Sequence, residues 1–98
     1  MSNQKQQKIN IKFSDEKLSG QYSNAMQILH TKEEFALDFL NILPPTGVLN
    51  SRIIVSPGHL KRMLGAIKEN LDKYESQFGK IQESKSPQPG KIGFEDRG

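Results

Sequence analysis

Apolar side chains alternate with polar ones near the start of the chain and settle into a longer period near its end. Ile9, Ile11 and Phe13 are separated by Asn10 and Lys12, the period of two that a half-buried strand shows. Ser14 to Gly20 (SDEKLSG) reads as a polar turn. Tyr22 to Leu29 (YSNAMQIL) reads as a second strand, with Tyr22, Met26 and Ile28 on one side and Ala25 and Leu29 on the other. His30 to Glu33 is a short loop, and Glu34 to Leu43 (EFALDFLNIL) is a third apolar segment. Phe35, Leu37 and Phe39 alternate as in a strand, although Phe35, Phe39 and Ile42 also fit helical spacing and Ala, Leu and Glu are helix formers. The strand is preferred because of what precedes it. A loop at 30–33 would pair Leu29 with Glu34, Ile28 with Phe35, Met26 with Leu37 and Asn24 with Phe39. That register gathers Met26, Ile28, Phe35, Leu37 and Phe39 on one face. Pro44 and Pro45 end the segment, since neither donates a ladder hydrogen bond. Thr46 to Asn50 reads as a loop around Gly47, and Arg52 to Val55 (RIIV) as a fourth short strand.

The clearest pattern follows. Ser56 suits an N-cap and Pro57 the first helical position. Leu60, Met63, Leu64, Ile67, Leu71, Tyr74 and Phe78 then recur at steps of three or four, forming one apolar stripe. Lys61, Arg62, Lys68, Glu69, Asp72, Lys73 and Glu75 occupy the opposite side, with Glu69 and Lys73 in the favourable i,i+4 order. Gly79 stands where a helix-stopping glycine belongs. The pattern therefore predicts an α+β domain over 9–79: an antiparallel four-stranded sheet followed by one long C-terminal amphipathic helix, β-β-β-β-α. Residues 1–8 form a polar arm and 80–98 a Pro- and Gly-bearing tail, both expected to be disordered. Within the tail, KIGFED sets Ile92 and Phe94 beside acidic residues, and an unconstrained end is preferred over a docking motif.

Geometry then bears on assembly. A helix from Pro57 to Phe78 is about 33 Å long at ~1.5 Å per residue, whereas strands of six to eight residues reach ~20–27 Å. The helix should overhang its sheet and leave Tyr74 and Phe78 without cover. The far sheet face would carry Ala25, Leu29, Ala36, Leu40 and Ile42, interrupted by Ser23, Gln27 and Asp38. One helix cannot cover both faces. Composition points the same way: of 98 residues only 34% are apolar, below the ~45–50% of a globular average. A homo-oligomer is expected, a twofold dimer or a dimer of dimers.

Charge alters the picture only once it is located. The net charge is +3, but over 9–79 the cations and anions cancel, so the excess lies on the two ends. No concentrated basic face of the kind nucleic-acid binders use is implied. The absence of cysteine excludes a disulfide framework, a thiolate metal site and a thiol nucleophile. The start, MSNQKQQK, carries no apolar run, and no stretch approaches the ~20 apolar residues that span a bilayer. A soluble cytoplasmic protein is the expectation.

Candidate chemistry is sparse. His30 and His59 belong to no ligand spacing, so no metal site and no cofactor are expected. Asp38 has no second carboxylate placed to share acid–base work; the preferred reading is an edge charge or an ion pair with Arg52 across the sheet. The start of the long helix, with Gly58, His59 and Arg62 and with Arg52 and Lys61 nearby, is a candidate anion site. Every capped helix shares that property, and a solvated face explains Lys61 and Arg62 equally. No catalytic residue is assigned, and the chain is not read as an enzyme.

From Tyr22 to Phe78, the runs YSNAMQILHTKEEFALDF, ILPP and SRIIVSPGHLKRMLGAIKENLDKYESQFG resemble a family of small bacterial and archaeal proteins catalogued as a domain of unknown function, DUF3467. The resemblance implies no activity or catalytic residue. The expected element order is also similar to the SecB-like export chaperones, oligomers that hold unfolded chains on apolar grooves. SecB is acidic, whereas this domain is neutral, and fold does not fix function. The expected function is accordingly a non-enzymatic oligomeric module that binds another protein, in the manner of a chaperone for extended apolar segments. Its surface would comprise Ala25, Leu29, Ala36, Leu40, Ile42, Tyr74 and Phe78. The alternative is a nucleic-acid-associated or regulatory protein using its basic arms, with no membrane partner.

Overall fold

A computed structural model describes residues 7–87 and 92–94. Its elements run α1 (Asp15–Ser19), β1 (Ala25–His30), β2 (Phe35–Leu43), β3 (Thr46–Val55) and α2 (Pro57–Phe78). The sheet is antiparallel and has three strands, in the order β1-β2-β3, so β1 and β3 are its edges. Of the ends expected to be disordered, 1–6, 88–91 and 95–98 lie outside the described residues, while 7–8, 80–87 and 92–94 are described and carry no helix or strand.

The first of the four expected strands is absent. Ile9, Ile11 and Phe13 lie exposed in irregular chain. Alternation makes a strand possible, but a strand also needs a ladder, and this segment pairs with none. The turn expected at 14–20 contains α1 instead. The Ser14 hydroxyl accepts a hydrogen bond from the Lys17 amide at 3.3 Å, and Asp15 and Glu16 occupy the first turn, where carboxylates favour the helix.

The β1–β2 register is Met26 with Phe39, Ile28 with Leu37 and His30 with Phe35, two residues from the expected pairing. The loop begins one residue later because Thr31 closes it. Its amide donates to the Glu34 carbonyl at 2.9 Å, and its hydroxyl accepts from the amides of Glu33 and Glu34 at 3.2 Å. A shift of two preserves side-chain parity, so Met26, Ile28, Phe35, Leu37 and Phe39 do share a face. The second correction concerns 46–50, which is strand and not loop. Pro44 and Pro45 form the turn of a hairpin that pairs Leu43 with Thr46 and continues to Phe35 with Val55. The prolines terminate the ladder as expected, and the chain returns at once. A bulge between Phe39 and Leu40 lets the ten residues of β3 follow the nine of β2.

α2 spans Pro57–Phe78 as expected. The Ser56 hydroxyl accepts from the His59 amide at 3.2 Å, and Gly79 adopts φ +97°, a conformation that favours glycine. Ion pairs Lys73–Glu69 and Lys68–Asp72, each at 3.5 Å, lace its polar side. Yet α2 buries no residue and makes only marginal contact with the sheet. Of its apolar stripe, only Leu60 and Met63, in the first two turns, are half-buried. The Cα radius of gyration of 17.6 Å exceeds the ~13 Å of a compact domain this long.

Candidate interaction surface

Pairing fixes the sheet face that carries Asp38 as three rows: Leu29–Ala36–Ile54, then Gln27–Asp38–Arg52, then Ala25–Leu40–Leu49. A polar bar thus crosses between two apolar rows. Asp38 is 0% exposed. Arg52 donates to its carboxylate twice, Nε to Oδ1 at 2.6 Å and Nη2 to Oδ2 at 2.9 Å. Gln27 adds a long contact of 3.5 Å. This is the forked guanidinium–carboxylate geometry, and it meets the expectation of a cross-sheet ion pair. Hydrogen bonding from Arg52 holds the Asp38 carboxyl below its ordinary pKa, outweighing the upward push of burial, and Asp38 in turn raises Arg52. Such a pair orders the middle of a sheet and occupies both oxygens of the Asp38 carboxylate. The Phe94 ring lies over Arg52, with the guanidinium carbon 5.9 Å from its centroid, within reach of a cation–π contact.

Within the apolar rows, Leu40 is buried, Ala25 and Ala36 are half-buried, and Leu29 and Ile54 are exposed; Ile42, paired with Gly47 beyond them, is half-buried. Leu29, Ala36 and Ile54 line one shallow depression together with His30, Thr31 and Glu34. The second open surface is α2. Leu64 is 66% exposed, Ile67 55%, Leu71 44% and Phe78 65%. Tyr74 and Phe78 lie against each other with ring centroids 5.0 Å apart. The two sets of expected surface residues therefore sit on separate elements: Ala25, Leu29, Ala36, Leu40 and Ile42 on the sheet, Tyr74 and Phe78 at the far end of α2.

The remaining candidates do not converge. His30 packs against Phe35, with ring centroids 5.3 Å apart. His59 lies beside Arg62, whose Nη2 is 3.2 Å from its Nδ1. Gly58 is in the same first turn. Among the described residues no three His, Asp or Glu side chains gather as a metal set would, and no described helix is long and apolar enough to cross a membrane.

Sequence reasoning missed two asparagines that tie the irregular segment before β1 to the sheet. The Asn24 carboxamide accepts from the Ile42 amide at 2.8 Å and donates to the Ile42 carbonyl at 2.9 Å, while its own amide bonds the Leu40 carbonyl at 3.0 Å. It thereby imitates one more residue of ladder. Asn50, at the bulge, donates to the Tyr22 carbonyl. A carboxamide has the donor and acceptor of a peptide group, so asparagines flanking a strand were the available signal.

No curated protein and no solved structure matches this chain, so the SecB-like arrangement expected from element order has no counterpart behind it. A three-stranded sheet also departs from that four-stranded expectation. The family resemblance carried by the sequence is met: the profile described as "Protein of unknown function (DUF3467)" matches residues 1–83, and the chain belongs to that family.

Proposed function

We propose that this protein is a non-enzymatic, oligomeric, protein-binding module that takes up extended apolar segments of other chains. One observation carries the reading: apolar surface stays open on two elements of a chain already poor in apolar residues. Leaving such surface in water costs about 25 cal/mol per Å², and covering it in a complex recovers that. The two surfaces suit different tasks. The stripe on α2 is long and continuous and serves assembly. The row Leu29–Ala36–Ile54 runs to both sheet edges, whose unpaired peptide groups offer an extended client main-chain hydrogen bonds beside an apolar depression. The Asp38–Arg52 pair limits that depression on one side, so a client would be gripped by a short apolar stretch.

The reading is tested by thermal aggregation of an unfolded client protein followed by light scattering. Suppression is expected near stoichiometric ratio; none at about tenfold excess, a margin that allows for weak binding, contradicts the reading.

A further inference from the structure

Along α2, Leu60, Leu64, Ile67, Leu71, Tyr74 and Phe78 follow one another at intervals of four, three, four, three and four. This is an unbroken seven-residue repeat. Its period of 3.5 marks a narrow seam that fits another helix, whereas a helix packed on a sheet presents a broader stripe. The structure leaves most of that seam open: Leu60 is half-buried, but Leu64, Ile67, Leu71, Tyr74 and Phe78 are exposed, and α2 barely touches its own sheet. At the seam's middle lies a shallow groove lined by Ala66, Ile67, Asn70, Leu71, Tyr74 and Ile81.

We infer that the occupant of this seam is α2 of a second copy, running antiparallel, with the twofold axis beside Glu69. The inference rests on the oligomeric half of the reading above and gives it a geometry. Antiparallel pairing about Glu69 sets Leu60 against Phe78, Leu64 against Tyr74 and Ile67 against Leu71, each pair occurring twice by symmetry. Every layer then joins unlike side chains, and the aromatic pair at the C-terminal end packs on the slimmer leucines of the N-terminal end. A parallel pair would stack Tyr74 on Tyr74 and Phe78 on Phe78, crowding one end and thinning the other.

Charge along the seam's border makes the same choice. In the antiparallel pair Lys61 lies beside Glu75 of the second copy, at both ends. Lys68 meets its own copy near the axis, and Asp72 at 3.5 Å already balances it. In the parallel pair the flanking positions join Met63 to Lys68 and Asn70 to Glu75, with no opposite charges facing.

Because the chain has no cysteine, the pairing is read by cross-linking single-cysteine variants of the full chain. Lys61→Cys and Glu75→Cys alter positions outside the seam, the first exposed and the second half-buried with its carboxylate accepting from the Ile81 amide at 3.0 Å, and circular dichroism checks that helix content is kept. With a short bismaleimide, a mixture of the two variants is expected to give covalently linked dimers containing one of each, and each variant alone is not. Antiparallel pairing places residue 61 about 24 Å from its own copy, and parallel pairing places residue 61 about 21 Å from residue 75 of the other helix, at ~1.5 Å per residue. No cross-link in the mixture, or efficient linking by either variant alone, while light scattering still reports a dimer, overturns the helix pairing and leaves the module reading standing. A monomer overturns both.

Discussion

Replacing Leu71 by lysine is expected to dissociate the proposed dimer, weakening it about a thousandfold while leaving the protomer folded. Leu71 lies in the middle of the seam, where by symmetry the substitution strikes two layers, each pairing it with Ile67. A charge left in an apolar contact without a partner costs about 2 kcal/mol per site after local relaxation. Two sites give about 4 kcal/mol, close to three decades in dissociation constant. Leu71 is 44% exposed in the single chain and lies on a helix without a buried residue, so an isolated protomer gains solubility and loses little packing. The measurement is sedimentation across a dilution series, with circular dichroism as the control for folding. A variant that remains dimeric at wild-type affinity removes α2 from the interface.

The second large effect concerns the sheet. Arg52→Met is expected to lower the melting midpoint at neutral pH by roughly 10 °C, because it leaves the enclosed Asp38 carboxylate without its cation. Asp38→Ala is expected to cost less, since the half-exposed Arg52 it strands can turn to water. The sign of the pH dependence follows from the direction of the shift. Asp38 has a lowered pKa in the folded state. Its contribution is therefore fully present above the ordinary carboxylate value and is lost as pH falls through the lower folded value. Wild type and Arg52→Met should differ most near neutrality and converge in acid, where protonation of Asp38 removes the charge that Arg52 balanced. A gap between the two that stays constant from pH 7 to pH 2 contradicts this role for the pair.

What could be read from the residues alone divides by the range of the forces involved. α2 was legible from end to end because its signals are local: Ser56 caps, Pro57 starts, Gly79 stops, and the stripe repeats between them. β2 was legible because Phe35, Leu37 and Phe39 alternate between two turn signals. Its register was placed two residues away because Thr31 closes its loop through hydroxyl bonds that alternation does not encode; parity survived, and with it the faces. The Ile9–Phe13 segment misled because alternation describes a strand's two sides and is silent on whether an edge awaits it. Pro44 and Pro45 were correctly read as a stop and misread as the start of a loop, for a residue without an amide suits a tight turn as well as a ladder's end. The ion pair of Asp38 with Arg52 was among the readings of the sequence, since opposite charges on neighbouring strands attract. The overhang of Tyr74 and Phe78 was legible from helix length, but the exposure of nearly the whole stripe was not, because how far a helix stands off its sheet depends on packing between distant parts of the chain.

The account depends most on one statement, that this chain is completed by another copy of itself. Its most direct test is the mass of the wild-type protein in solution, by sedimentation equilibrium or light scattering at micromolar concentration and physiological salt. The account predicts twice the 11.1 kDa of the single chain, or a further even multiple. A steady 11.1 kDa species at tens of micromolar, with α2 fully helical, contradicts it.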